Sequence, residues 1–497
     1  MKRPPELAVR VGFNGLAQLA PVIVVLALTP LLLDRLGLDR FGIWSLTLVL
    51  LNTLRMLDGG IAASMARFFA VHAARDERAE AGRLLVGALL FLALLGGVLT
   101  ALAFHLAPTV VGLLDVPDRL EADGADLLRW APALAALALM SEATAALLVG
   151  NGRFQALAGA MWSSAAVFAA AIVILVQPDA SLEVLAVASA LRYGVLLGAS
   201  IVLGARHAVF RRPFLPSVAS ATEVGGYAWR MQLSALTGFV NTELDALVIA
   251  AFLPVRYVGL YQIGMQVASA VRSLPLYAFA PLLTRLTMLF RREGRDATRS
   301  EFERLERRWL PVVSGYGLVG IAAVGFSVVI WLGDRYAISG AVAAVLLAGY
   351  TVHVALTGMR TCYVRAVGRP GLETRCSTMW TVLNLVLTIP LVLLAGVVGV
   401  VAATAFAGIV ASVYFVDLCR RTEALPLILT ATGWWWTVAL AVVLTVAGEL
   451  LLLQTGVHGF LGLALSGLPA VAGWALLAAG MREQLRVRLR PSASLER

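Results

Sequence analysis

Long apolar runs, separated by short polar breaks, dominate the chain along its whole length. A run of about 18 residues or more can form a helix that crosses a bilayer core of roughly 30 Å. Fourteen such helices are predicted. The first twelve cover 8–33, 41–71, 84–107, 125–149, 156–176, 182–204, 224–252, 258–283, 310–332, 338–358, 374–394 and 397–418. A final pair covers 431–453 and 460–481.

The composition excludes a soluble globular protein. Of 497 residues, 60% are hydrophobic and only 14% are charged, whereas soluble domains have about 25% charged residues. The expected fold class is therefore an all-α polytopic membrane protein. Cys362, Cys376 and Cys419 have neither the spacing of a metal site nor that of a disulfide framework, and we predict no metal site and no cofactor.

The basic residues predict the orientation in the membrane. The segments on the same side as the termini hold 30 Lys and Arg residues, and those on the opposite side hold six. Cytoplasmic segments carry the excess of positive charge in membrane proteins, so both termini are expected in the cytoplasm. Because the basic residues lie in short segments between apolar runs, the net charge of +10 does not indicate a nucleic-acid partner.

An internal repeat relates the two halves of the predicted twelve-helix region. Residues 40–57 align without gaps on residues 257–274, 217 positions later, and the alignment pairs Arg55 with Arg272 and Gly42 with Gly259. Chance matching of apolar runs is the alternative explanation. The repeat predicts two pseudo-symmetric six-helix lobes in parallel orientation, with the substrate path between them. The lobes are expected at 1–204 and 224–418, joined by a cytoplasmic linker at 205–223 and followed by the helix pair and basic tail at 419–497.

The segments that carry the repeat also carry a resemblance to a known family. FGIWSLTLVLLNTLRMLDGGIAASMARFFA at 41–70, with VGLYQIGMQVASAVRSLPLYAFAPLL at 258–283, resembles the oligosaccharide flippases of the multidrug/oligosaccharidyl-lipid/polysaccharide exporter superfamily. Within that superfamily the chain is most similar to the Wzx-type O-antigen and exopolysaccharide branch. The resemblance implies two lobes around a central cavity with alternating access, in the bacterial inner membrane.

The resemblance also implies a substrate and partners. The expected substrate is an undecaprenyl-diphosphate-linked oligosaccharide that moves from the cytoplasmic to the periplasmic leaflet for surface polysaccharide assembly. Membrane lipids and other polysaccharide-assembly membrane proteins are the further expected partners.

Charged and polar residues inside the predicted spans are the candidates for binding. A charged side chain at mid-bilayer depth costs about 2.5–3.5 kcal/mol, so it faces a cavity or a partner. Arginines occur inside spans at Arg55, Arg192, Arg230 and Arg272. The candidate substrate-binding residues are Arg55, Arg272, Arg230, Asn52, Ser269, Gln262, Gln266, Asn14, Gln18 and Asn241.

Guanidinium groups suit a diphosphate because they stay charged and donate two parallel hydrogen bonds to phosphate oxygens. We therefore expect Arg55 and Arg272 to face each other and bind the diphosphate, and the neutral side chains to suit sugar hydroxyls. The alternative is a packing role, in which Arg55 pairs with Asp58 and Arg272 pairs with an acid on the seventh helix.

Three buried acids are candidates for charge balance or for binding a coupling proton or sodium ion: Asp58, Glu142 and Asp245. The sequence favours Asp58 as the residue that neutralises an arginine. Glu142 lies inside a predicted helix without an arginine close in sequence, which favours it as an ion site.

A short amphipathic helix is predicted at 298–310. Phe302, Leu305 and Trp309 recur at helical spacing opposite Arg299, Glu303 and Glu306. This pattern is typical of a helix that rests on the cytoplasmic leaflet with its polar face in water. A coupling element is the alternative interpretation.

Other function classes stay open at this stage. A drug exporter of the same superfamily is disfavoured because a resemblance to such members implies a buried acid in the first helix, which here has no acid before Asp34. A lipid II flippase is disfavoured because its family pattern includes arginines within the first helix, whereas the only one here is Arg10, at the cytoplasmic edge. A glycan polymerase or ligase usually needs a substantial outside loop, and the longest here is 108–124. No ATP-binding motif or nucleophile–base pair is found in the sequence, which favours a transporter over an enzyme.

The predicted topology can be tested by thiol labelling. In a background without the three native cysteines, single cysteines at Asp118 and at Asp296 should react with a membrane-impermeant thiol reagent from opposite faces of the membrane. Labelling of both from the same face would contradict the predicted orientation.

Overall fold

The computed structural model describes residues 4–112, 116–178, 180–205, 207–208, 216–276 and 279–426, with the single residues 443 and 447. Within these ranges every regular element is a helix, which confirms the all-α class. The helices are α1 (Pro4–Arg55), α2 (Ile61–Ala74), α3 (Arg78–Gly112), α4 (Asp118–Gly150), α5 (Phe154–Leu175), α6 (Glu183–Gly204), α7 (Val218–Phe252), α8 (Arg256–Leu276), α9 (Phe279–Leu332), α10 (Ala337–Ala366) and α11 (Gly371–Glu423). Short 3-10 helices lie at Met56–Asp58 and Asp334–Tyr336.

Eight helices in the described ranges are long and apolar enough to cross a membrane. Large apolar side chains on them point outward, as with Leu394, which is 81% exposed, and this suits contact with lipid tails. Of the predicted helices at 431–453 and 460–481, only residues 443 and 447 are described. The total of fourteen spans therefore stays a prediction.

Three of the helices are interrupted. The backbone dihedral angles are not helical at Gly37 in α1, at Gly294 in α9 and at Ala395–Gly396 in α11. At 1.5 Å per residue, α1 and α11 are each about 80 Å long, more than twice the thickness of a bilayer core. Each therefore corresponds to two predicted helices on either side of its break.

The second predicted helix, 41–71, is not continuous. It ends at Arg55, passes through Met56–Asp58 and two glycines, and resumes as α2 at Ile61. Gly59 and Gly60 have positive φ angles of 66° and 78°, a region that glycine enters without steric cost. Apolar periodicity carries through this segment and so does not reveal the break.

The break packs closely against α7. A Cβ atom added at Gly60 would overlap the carbonyl oxygen of Ala228. The side-chain Nε2 of Gln232 donates to the backbone carbonyl of Met56 at 2.5 Å. Glycine at position 60 is therefore needed both for the backbone turn and for the approach of α7.

The order of helices repeats along the chain at the offset that the sequence predicts. α5 begins at Phe154 and its counterpart α11 begins at Gly371. These two starts are separated by the same offset as Arg55 and Arg272. The other helix starts, including those that follow a break, find counterparts close to this offset. The repeat is thus a property of the helix boundaries as well as of the aligned residues.

Contacts divide the chain into two compact units, Met1–Gly259 and a second unit that begins at Leu260. In the first unit α4 packs against α1, α2, α3 and α6, and α7 packs against α1 and α2. In the second, α10 packs against α9 and α11. Because α7 belongs by its contacts to the first unit, this division differs from the predicted lobe boundaries, which stay a prediction.

A buried ion pair holds α9 in the second unit. Glu306 pairs with Arg360 of α10 at 2.9 Å, and both side chains are almost fully buried. Phe302 is also buried. The prediction that Glu306 lies on a polar face in water is wrong, because the carboxylate is buried in its pair with Arg360. The position of the segment on the leaflet stays a prediction.

The break before α2 provides a stability test. Gly60→Ala should lower the free energy of unfolding by about 1–3 kcal/mol for the positive φ and by about 1–3 kcal/mol more for the clash with α7. Gly59→Ala is the matched control, since a Cβ there meets nothing within 4 Å and only the backbone term applies. Thermal unfolding of the purified variants in detergent measures the difference. Equal losses of stability would contradict the close approach.

Candidate functional site

The end of α1 presents Arg55 to a glutamate of α4. The Nη2 atom of Arg55 forms an ion pair with Glu142, and Nη1 donates to Oδ1 of Asn52 at 3.3 Å. The side chain of Arg55 is 26% exposed and that of Glu142 is 47% exposed. The pair therefore borders an accessible space and is not sealed in the core.

Asn52 extends this contact to α7. Its Nδ2 donates to Oε1 of Glu243 at 3.1 Å, while its Oδ1 accepts from Arg55. Four polar side chains thus form a continuous chain from α4 through α1 to α7. This cluster, Glu142, Arg55, Asn52 and Glu243, holds one arginine between two carboxylates.

Asp58 does not neutralise Arg55 in the structure. Its two carboxylate oxygens accept the backbone N–H groups of Gly60 at 2.8 Å and Ala62 at 2.9 Å, and the residue is 4% exposed. It therefore caps the first turn of α2. The sequence favours Asp58 as the charge partner and Glu142 as the ion site, whereas the ion-pair partner of Arg55 is Glu142, because α4 brings it there from 87 positions away.

Arg272, which the repeat pairs with Arg55, has a different environment. Its guanidinium lies 4.2 Å from the ring centre of Tyr350, a residue that is 2% exposed. Among the residues that the structure describes, no carboxylate lies within ion-pair distance of Arg272. The alternative packing role, in which Arg272 pairs with an acid of the seventh helix, is therefore not seen among the described residues. An aromatic ring attracts the cation without cancelling its formal charge.

The helix that contains Arg272, α8, also contains neutral polar residues. Gln262, Gln266 and Ser269 are all half-buried in α8. The Oγ of Ser269 contacts the Sδ of Met265 at 3.7 Å. The Oε1 of Gln266 is buried and has no hydrogen-bond partner among the described residues.

Arg192, also predicted inside a span, lies near the middle of α6. Its guanidinium carbon is 5.4 Å from the ring centre of Phe168 and 5.5 Å from that of Tyr193. It is half-buried, so aromatic rings lie beside this charge as well.

The remaining candidates divide into two groups. Asp245 is 1% exposed within α7. Asn14, Gln18, Arg230 and Asn241 belong to α1 and α7, but their side chains lie outside the described residues, so their assignment as binding residues stays a prediction.

Glu243 and Tyr350 belong to these environments and are not among the residues that the sequence predicts for the site. Glu243 falls on the helical face opposite the polar stripe of α7, so periodicity assigns it no role. Its one sequence signal is its rarity as an acid within an apolar helix. Tyr350 has no sequence signal, because only the packing of α10 brings its ring to Arg272.

Solved structures with the same fold are transporters and flippases. The lipid II flippase MurJ in an inward closed conformation has a TM-score of 0.71 at 13% identity and covers 95% of this chain and 99% of that chain. An inward-facing multidrug resistance MATE family transporter of the MOP superfamily has a TM-score of 0.69 at 14% identity, covering 83% and 95%. The Vibrio cholerae MATE transporter VcmN in the bent form has a TM-score of 0.53 at 16% identity, covering 84% and 96%.

These likenesses confirm the fold that the resemblance implied, that of the multidrug/oligosaccharidyl-lipid/polysaccharide exporter superfamily. A family model described as "Polysaccharide biosynthesis protein" matches residues 38–287, half of the chain. No curated protein matches the sequence.

The capping role of Asp58 can be tested by two substitutions. Asp58→Ala should lower the free energy of unfolding by about 0.5–2 kcal/mol, because two backbone donors lose their acceptor. Asp58→Asn keeps one acceptor and should lose less. Thermal unfolding in detergent gives both values. A loss of transport in Asp58→Asn at normal stability would instead indicate a role for the negative charge.

Proposed function

We propose that this chain, which belongs to the polysaccharide biosynthesis protein family, is a flippase for an undecaprenyl-diphosphate-linked oligosaccharide. It moves the lipid-linked glycan from the cytoplasmic to the periplasmic leaflet by alternating access, as a transporter and not an enzyme. The product is used for O-antigen or exopolysaccharide assembly. The protein lies in the bacterial inner membrane with both termini in the cytoplasm, next to other membrane proteins of polysaccharide assembly.

The observation that carries this proposal is the environment of the Arg272 guanidinium. Its charge is held against Tyr350, and no carboxylate pairs with it in the described part of the chain. A cation that lacks an ion-pair partner inside a predicted span is costly, and a diphosphate supplies the negative charge that an aromatic ring does not. Guanidinium binds phosphate oxygens in pairs, so Arg272 is suited to a phosphate of the substrate.

The neutral polar groups of α8 suit the glycan. Gln262, Gln266 and Ser269 offer both donors and acceptors, which sugar hydroxyls need. The buried Oε1 of Gln266 without a described partner is an acceptor that a hydroxyl can satisfy.

A lipid II flippase is the second candidate. It is favoured by the similarity of the fold to lipid II flippase MurJ over 95% of this chain. Both substrates carry a polyprenyl diphosphate, so the same arginines serve either one. The family match to polysaccharide biosynthesis favours the oligosaccharide.

A proton or a sodium ion is the proposed coupling ion, with Glu142 and Asp245 as candidate carriers.

A strain that lacks the protein can be used to identify the substrate, because the lipid-linked glycan that is no longer transported should accumulate. A strain that lacks this protein should accumulate undecaprenyl-diphosphate-linked repeat units in its inner membrane, with lipid II at its normal level, as measured by mass spectrometry of extracted lipids. Accumulation of lipid II would favour the second candidate. Normal levels of both lipids would contradict the proposal.

Substitution of the arginines tests the site. Arg55→Ala and Arg272→Ala should each abolish glycan export at near-normal protein level, and Arg272→Lys should keep part of the activity because lysine retains charge but loses the bidentate geometry. Arg256→Ala is the matched control, since Arg256 is exposed at the start of α8. Normal surface polysaccharide in both alanine variants would contradict diphosphate binding by these residues.

A further inference from the structure

We propose that the carboxylate of Glu142 occupies the position on Arg55 that a substrate phosphate takes during transport, so that Arg55 binds phosphate only after Glu142 is displaced. This inference rests on the proposed function and assigns a regulatory role to one residue of the site. Arg55 is then a gated anion site, and Glu142 is its internal competitor.

The first observation is the setting of Glu142 in α4. Its neighbours along the helix, Ser141, Ala143 and Thr144, are at most 1% exposed, whereas the Glu142 side chain is 47% exposed. A carboxylate used for packing would be enclosed, as Glu306 is in its pair with Arg360. Glu142 instead meets Arg55 at the border of an accessible space, where an incoming anion can also reach the guanidinium.

The second observation is the strength expected of such a pair. Ion pairs that are partly exposed contribute little to stability, much less than the cost of breaking an enclosed pair. Two phosphate groups carry more negative charge than one carboxylate and offer the same bidentate acceptor geometry to Arg55. A diphosphate therefore has the advantage over Glu142, and the exchange of partners at Arg55 is readily reversible.

The third observation is that, among the described residues, Glu142 is the one carboxylate in direct contact with Arg55. Glu243 is linked to the arginine only through Asn52, which is bonded to both Arg55 and Glu243. An anion that approaches Arg55 therefore competes with Glu142. Displacement of Glu142 removes this carboxylate from the guanidinium and leaves Asn52 to hold the arginine side chain in position.

The fourth observation comes from the repeat. At the offset that pairs Arg55 with Arg272, the counterpart of Glu142 is Met359, an apolar residue that is 1% exposed. The second half of the chain thus has the arginine, at Arg272, without the competing acid. Arg272 accepts phosphate without a displacement step, and Arg55 does not.

Displacement of Glu142 also changes the contacts between helices. The Arg55–Glu142 pair connects the end of α1 with α4 in the first unit. When phosphate replaces the carboxylate, this connection is lost and α4 is freed from α1 at this point. Substrate binding is thereby linked to a change in helix contacts, which a transporter with alternating access requires.

Pyrophosphate binding to the full-length protein in lipid nanodiscs tests the inference by calorimetry. Glu142→Gln, which keeps the shape and removes the charge, should bind inorganic pyrophosphate about two- to fivefold more tightly than the unmodified protein. In a background with Arg55→Ala, the same Glu142→Gln change should give little or no gain, because the gain acts through Arg55. The loss of the gain in that background is the expected result.

Two results would overturn the inference. An unchanged affinity in Glu142→Gln shows that Glu142 does not compete, and an equal gain with and without Arg55 shows a general electrostatic effect. Thermal unfolding of each variant in the same nanodiscs establishes that it is folded. Glu142→Asp is a second variant, which keeps the charge on a shorter side chain and should bind pyrophosphate more tightly than the unmodified protein but less tightly than Glu142→Gln.

The outcome separates this inference from the proposed function. Pyrophosphate binding that depends on Arg272 but is insensitive to Glu142 overturns only the competition at Arg55. Absence of binding both in the unmodified protein and in Glu142→Gln overturns the competition together with diphosphate recognition.

Discussion

The charge of an arginine cannot be removed by deprotonation, and a membrane offers little to solvate it. Every arginine inside a helix bundle of this kind therefore needs a compensating group. The structure compensates its arginines in different ways. Arg360 pairs with a carboxylate in an enclosed environment, and Arg272 lies over the face of an aromatic ring. Arg55 combines a carboxylate with an amide at an accessible border. In the proposed function, the kind of compensation decides which of these cations can still bind a substrate anion.

The backbone breaks place these side chains. Arg55 is the last residue of α1 because the chain turns at Gly59 and Gly60 before it resumes as α2. Asp58 stabilises the new helix by binding its first backbone N–H groups. An arginine at the end of a helix has less helix packed around it, and this leaves the guanidinium of Arg55 free to meet residues from other elements.

Family, fold and site support one another at different levels. The family match assigns the chain to polysaccharide biosynthesis, and the likeness to solved transporters establishes the fold. Neither one identifies which residues bind a substrate. The proposal for the site rests on the charges of Arg55 and Arg272 and on the neutral groups beside them. Unequal compensation of two arginines at equivalent repeat positions makes the two halves chemically different, although their helices follow the same order.

The sequence by itself determined the membrane class, the helix order and the repeat, because the length of apolar runs and the offset between the two halves are properties of the linear chain. It also pointed to Arg55 and Arg272, since charge inside an apolar run is visible without a structure. Tertiary structure decided the partners. Glu142 contacts Arg55 from 87 positions away in the sequence, and Tyr350 contacts Arg272 from a different helix. Local periodicity cannot predict contacts between residues so far apart in the sequence. The break before α2 was equally hidden, because a turn at two glycines interrupts the backbone without interrupting the apolar pattern.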